Sequence, residues 1–187
     1  MGRWEPDAAG RLREAAMALY AERGFDGTTV ADIADAAGVT ARTFFRHFAD
    51  KREVLFAGSE QLEQHMVLAL AEAPTEATPM EAVAAAVLAS AEFFDGMRRD
   101  YSRRRAAVIT ATPELREREL IKMATLTSSL TKGLLDRGVA PDVAALAAET
   151  GVAVFRVAFE RWLVEPDSVL IADVIRSTLK TLSGLTA

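Results

Sequence analysis

Thr28-Thr29-Val30-Ala31-Asp32-Ile33-Ala34-Asp35-Ala36-Ala37-Gly38-Val39-Thr40-Ala41-Arg42-Thr43-Phe44-Phe45-Arg46-His47-Phe48 is the stretch on which the reading of the chain turns. Val30, Ile33, Ala34 and Ala37 recur at the three- and four-residue spacing that gathers side chains on one helical face, and Gly38 stops the run. The Thr28-Thr29 pair offers an N-cap to this short helix, and Thr40 caps a second one from Ala41 to about His47. Phe44 and Phe48 lie four apart and share its inner face. Two short helices about a glycine turn fit a helix-turn-helix, in which the second helix enters the major groove of duplex DNA. Spacing alone fits a plain helical packing unit equally well.

Upstream, Leu12, Ala15, Ala16, Leu19 and Tyr20 stripe a helix from about Asp7 to Arg23 that Gly24 ends. Downstream, Asp50-Lys51-Arg52-Glu53 has capping-box spacing and predicts a long fourth helix carrying Val54, Leu55, Leu62, Met66, Ala69 and Leu70. A polar, proline-bearing break follows, and Thr78-Pro79-Met80-Glu81 combines N-cap, N1 proline and N3 glutamate. Further helices are predicted at about 79–95, 98–111, 113–137, 142–163 and 167–183. Alternation at period two is scarce, so the chain is all-α, with a boundary on the fourth helix dividing residues 1–56 from residues 57–187.

The chain has 187 residues, 50% hydrophobic, 26% charged and 7% aromatic, an ordinary globular balance. With no cysteine, disulfide scaffolds, zinc-thiolate sites and thiol nucleophiles are excluded. No signal-peptide pattern or long apolar span is evident, so a cytoplasmic protein without membrane contact is expected. The net charge of −5 argues against a generic polyelectrolyte binder. Locally the balance reverses, because Val39 to Arg52 holds Arg42, Arg46, Lys51 and Arg52 against Asp50 alone, a net of +3.

Leu12-Arg13-Glu14-Ala15-Ala16, Leu19-Tyr20-Ala21-Glu22-Arg23-Gly24-Phe25, Thr28-Thr29-Val30, Ile33-Ala34, Ala37-Gly38-Val39-Thr40, Thr43-Phe44-Phe45, Phe48 and Lys51 stand in an order and spacing that closely resemble the N-terminal domain of TetR-family transcriptional regulators. The likeness is dense from Leu12 to Leu55; beyond Gly58 it is to the family's architecture only, a helical ligand-binding and dimerisation domain. The resemblance implies a ligand-responsive, sequence-specific DNA-binding repressor with no catalytic residues, cofactor or metal. It also implies that Thr28 or Thr29, Thr40 and Lys51 contact phosphates. Arg42 is assigned to direct base readout, its guanidinium addressing guanine O6 and N7 together, and Ala41 or Thr43 to a thymine methyl. Arg46 and His47 are divided between phosphate contact and simple exposure. Phe45 stands where the family usually has tyrosine; it cannot donate to a phosphate but can pack on the sugar-phosphate backbone.

The last two helices carry Val143, Ala144, Ala147, Ala148, Gly151, Val152 and Phe155, and Leu170, Ile171, Val174, Ile175, Thr178, Leu179 and Leu182. By resemblance these helices form a four-helix homodimer interface, the small residues permitting close approach, with monomer core as the other account. A two-fold dimer would present two recognition helices to a palindromic double-stranded operator. Phe93, Phe94, Met97, Arg103, Val108, Leu126, Leu130 and Phe155 are the candidates for contact with a small-molecule effector. The arginine-dense run Met97 to Arg105 reads either as a solvated helix face or as an anionic head-group site suited to an acyl-CoA or another amphipathic anion.

An enzyme is disfavoured: His47 and His65 belong to no metal pattern, and no nucleophile elbow, Walker loop or dinucleotide fingerprint is present. The remaining rival is a helical small-molecule carrier or adaptor, which has no use for the local +3.

Overall fold

The computed structural model describes residues 7–95 and 99–185. Among these the chain is all-α, with α1 (Ala8–Arg23), α2 (Val30–Ala36), α3 (Ala41–His47), α4 (Ser59–Ala71), α5 (Pro79–Asp95), α6 (Arg99–Ala111), α7 (Pro113–Asp136), α8 (Pro141–Val164) and α9 (Ile171–Leu185). The helices fall into two compact units: the chain through Ala57 together with Arg103–Glu117, and Gly58–Ser102 together with the chain from Arg118 onward.

In the first unit, α1 to α3 enclose Leu12, Ala16, Met17, Ile33, Ala34 and Phe44, all essentially without solvent contact. α2 and α3 are seven residues each, too short to persist on propensity, so side chains tether them. Thr29 and Asp32 form a reciprocal capping box on α2, and Arg11 Nε donates to the Ala37 carbonyl at its far end. Tyr20 donates to the Lys51 carbonyl at 2.6 Å.

The fourth helix begins later than the capping-box spacing predicts. Asp50 accepts from the Arg52 and Glu53 amides in a local turn, and residues 51–58 remain turns. Gly58 then adopts φ +95, and the Phe93 ring lies so close that a Cβ there would stand 2.8 Å from its Cζ.

The second unit is built on α5, which packs against α4, α8 and α9. Its inner face of Ala82, Val83, Ala86 and Val87 is fully buried. A Cβ on Gly151 of α8 would stand 2.2 Å from Val83 Cγ1, so the absent side chain is what lets α8 approach α5. Arg137 closes the C-terminal end of α4, its guanidinium lying 2.6–3.3 Å from the carbonyls of Leu70, Ala71, Ala73 and Pro74. α9 starts at Ile171 rather than near 167, because 166–170 forms a turn closed by the Val169 amide on the Pro166 carbonyl.

This packing corrects the residues read as an interface. Ala144, Ala147, Ala148, Gly151, Val152, Phe155, Ile171, Val174, Ile175 and Thr178 are buried within the single chain, so their small size serves contacts inside the unit. The large apolar side chains left outside on α8 are Val143, Leu146, Val157 and Val164, with Leu146 70% and Val164 84% exposed. Among the described residues no helix is long and apolar enough to cross a membrane.

Candidate nucleic-acid interface

Phe44 is fully buried and Phe48 nearly so, which orients α3 with Ala41, Arg42, Phe45, Arg46 and His47 exposed and Thr43 half-buried. Phe45 is 58% exposed, its ring edge-on to Phe44 at 5.5 Å. Arg42 and Arg46 engage no hydrogen bond or ion pair among the described residues, so both guanidinium groups are available to an external anion or base edge. Thr40 caps α3 by accepting from the Thr43 amide at 3.2 Å, and no acidic residue occupies the first turn. Helix dipole, free amides and two outward arginines thus favour negative charge at this face.

The N-terminus of α2 is organised in the opposite sense. The Thr29 amide and hydroxyl both donate to Asp32, at 2.8 and 2.6 Å, and the hydroxyl bond chiefly holds the Asp32 carboxyl below its ordinary range. A phosphate reaching Thr29 has to displace that carboxylate. Thr28 is 1% exposed and its hydroxyl donates to the Gly24 carbonyl at 2.9 Å. Of the Thr28/Thr29 pair, Thr28 therefore cannot meet a phosphate: it is a structural tie inside the α1–α2 turn.

Lys51 is also turned inward. Its Nζ donates to the carbonyls of Phe25 and Thr28 at 2.8 and 2.9 Å and sits 4.2 Å from the Phe25 ring centroid. Two of an ammonium's three donors are thus committed, leaving one for a phosphate. Arg52 pairs with Asp50 at 2.5 Å, a bond that is the main cause of Asp50's lowered pKa. The local +3 consequently reaches solvent mainly through Arg42 and Arg46.

The effector candidates divide. Phe94, Leu126, Leu130 and Phe155 share the buried core of the second unit, with Phe93 half-buried beside them. Phe94 lies 6.2 Å from Phe155, 5.2 Å from Phe159 and 5.9 Å from Trp162 between ring centroids. Trp162 of this aromatic group donates to the Val169 carbonyl at 3.2 Å. Met97 lies outside the described residues. Arg103 and Val108, both half-buried, group with the first unit rather than with this core.

The arginine run is not a uniform solvated face. Arg99 donates to the Glu165, Pro166 and Val169 carbonyls and lies 4.4 Å from the Trp162 ring, with its side chain only 8% exposed. Arg105 donates to the Leu55 carbonyl at 2.6 Å. Neither tether has a signal in the sequence, because each partner is a backbone carbonyl 50 or more residues away. His65 is half-buried with Nε2 3.2 Å from Glu92.

Comparison with known proteins bears on both units. Residues 12–57 match the family model of bacterial regulatory proteins of the tetR family, and residues 77–186 match the MftR C-terminal domain. The chain is 30% identical over 179 residues, covering 94% of itself and 89% of the relative, to a protein of Mycobacterium tuberculosis named as a mycofactocin biosynthesis transcriptional regulator, MftR. It is 39% identical over 75 residues to the transcriptional regulator TcmR of Streptomyces glaucescens, a match spanning 40% of this chain but only a third of TcmR, at 33%. The fold is shared with the transcriptional regulator FadR of Bacillus subtilis, solved with stearoyl-CoA, at a TM-score of 0.56 and 21% identity, over 92% of this chain and 96% of that one.

Proposed function

The chain belongs to the tetR family of bacterial regulatory proteins, and from that premise we propose that it is a repressor that holds a palindromic operator as a homodimer and releases it when an apolar or amphipathic effector binds. It is a helix-turn-helix transcriptional regulator and not an enzyme. The observation that carries this proposal is the α3 surface: two guanidinium groups without partners among the described residues, beside a helix N-terminus that carries no carboxylate. A carrier or adaptor gains nothing from that surface, whereas duplex DNA supplies both phosphates and guanine edges to it.

In this reading the DNA-binding part ends near Phe56. Arg42 reads a guanine, Ala41 or Thr43 meets a thymine methyl, Phe45 packs on sugar, and Thr40 with Arg46 or His47 fixes the phosphate register. The exposed α8 residues Val143, Leu146, Val157 and Val164 support a two-fold contact through the last two helices. The aromatic and leucine core around Phe93, Phe94, Leu126, Leu130 and Phe155 supports an effector with a large apolar part. FadR's stearoyl-CoA makes an acyl-CoA the first ligand to try. Whatever the effector, it must bind the DNA-free state more tightly, and operator must weaken effector by the same factor.

The test is selection of bound sequences from a random duplex pool at fixed salt, with Arg42→Ala alongside. An inverted repeat is expected for the wild type, with affinity lowered about tenfold and one base position relaxed in the variant. Absence of enrichment at low salt would overturn the repressor reading and leave the carrier.

A further inference from the structure

The turn between α3 and α4 carries polar backbone that no helix satisfies. Over residues 51–58 the Leu55 amide reaches the Arg52 carbonyl at 3.0 Å and the Phe56 amide the Glu53 carbonyl at 3.2 Å, while the Leu55 carbonyl points out of this local bonding. Arg105, 50 residues away on α6, supplies its partner: Nε donates at 2.6 Å, and the guanidinium carbon stands 5.2 Å from the Phe56 ring centroid. Leu55 and Phe56 are 2% and 4% exposed and Arg105 is half-buried, so a charge-assisted contact there is partly shielded from water.

The turn is tied just as firmly on its other side. Tyr20 holds the Lys51 carbonyl, Lys51 holds the Phe25 and Thr28 carbonyls, and Asp50 holds the Arg52 and Glu53 amides. From Asp50 to Phe56 the turn that follows α3 is thus held by side chains and by its own amides. The second half of α6 thus belongs to the DNA-binding unit, although its first residues, Arg99–Ser102, group with the second unit.

We propose that Arg105 is a positioning residue for DNA binding: from α6 it fixes the turn behind the recognition helix. This rests on the DNA-binding reading above. A guanidinium suits the task because its planar fork holds a carbonyl and a ring face at once.

The experiment compares wild type, Arg105→Gln and Arg105→Lys for affinity to the selected duplex across a salt series, and for amide hydrogen exchange at Leu55 and Phe56 without DNA. The Gln variant is expected to bind about tenfold more weakly with an unchanged salt slope and faster exchange, as loss of the guanidinium from the turn implies. The Lys variant is expected in between, two- to fourfold weaker, because an ammonium restores the donor but not the fork. A slope reduced by about one would make Arg105 itself a phosphate ligand and overturn the proposal. Wild-type affinity and exchange in both variants would overturn it equally. If the Gln variant does not fold, the Lys variant decides by the same criteria, equality with wild type being the overturning result. If the wild type selects no duplex, the repressor reading falls and takes this role with it; selection by the wild type with unaffected variants removes only the role of Arg105.

Discussion

The two units are held together by different means. In the first, short helices are pinned by individual side chains reaching across the chain to backbone carbonyls: Arg11 to Ala37, Tyr20 to Lys51, Lys51 to Phe25 and Thr28, and Arg105 to Leu55. In the second, helices of up to 24 residues zip together through alanine, valine and leucine, and the polar tethers of Arg137 and Arg99 close helix ends. The seven-residue α2 and α3 cannot draw on cooperative helix formation and need named atoms at named places, whereas long amphipathic helices need only the right pattern and volume.

The largest expected effect probes the apolar surface that the second mode leaves uncovered. Leu146→Glu places a charge in the exposed α8 stripe and should weaken self-association at least about 100-fold, seen as monomer in sedimentation while the fold remains intact. A dimer that persists at low concentration would move the interface elsewhere. Next, Gly151→Ala should lower urea stability by roughly 2–3 kcal/mol despite alanine's better helix propensity, because the new methyl meets Val83. Much of that loss should return with Val83→Ala, and a neutral Gly151→Ala would show that α8 and α5 pack more loosely than the comparison assumes.

Lys51→Met tests the tethered unit. Two part-buried carbonyls lose their donor, costing about 1.5–2 kcal/mol, and exchange of amides in the α1–α2 turn should quicken while those of α5 and α8 do not. If the main effect is instead a lower salt slope on DNA with stability unchanged, Lys51 acts as a phosphate ligand. The smallest effect concerns pH. Asp32 and Asp50 in the first unit and Glu81 in the second have lowered pKa values, caused chiefly by bonds from the Thr29 hydroxyl, the Arg52 side chain and the Thr78 amide. A carboxyl depressed in the folded state lends stability above its unfolded value, near 4, and that contribution fades as pH falls through the lower folded value. Melting curves for Asp32→Asn should therefore converge on wild type in acid and separate at neutral pH.

The same contrast explains what the amino-acid sequence discloses. α2 and α3, their threonine caps and the outward set on α3 are legible because a glycine turn, two caps and paired phenylalanines each have one local meaning. The start of α4 is not, since Asp50-x-x-Glu53 spacing suits a capping box and an aspartate turn alike, and the deciding feature is the backbone at Gly58. The burial of Thr28 and the division of the arginine run depend on carbonyls distant in the chain. In α8, small residues announce close approach but not to what, and the neighbours prove to be α5 and α9 of the same chain.

Trp162 offers an optical consequence. Its indole is 4% exposed, bonded through Nε1 to Val169 and covered by the Arg99 guanidinium, and the only other tryptophan is Trp4. Replacing Trp4 with phenylalanine leaves one fluorophore with a dry, blue-shifted emission inside the aromatic core. Candidate effectors can then be screened by intensity alone, without label or operator.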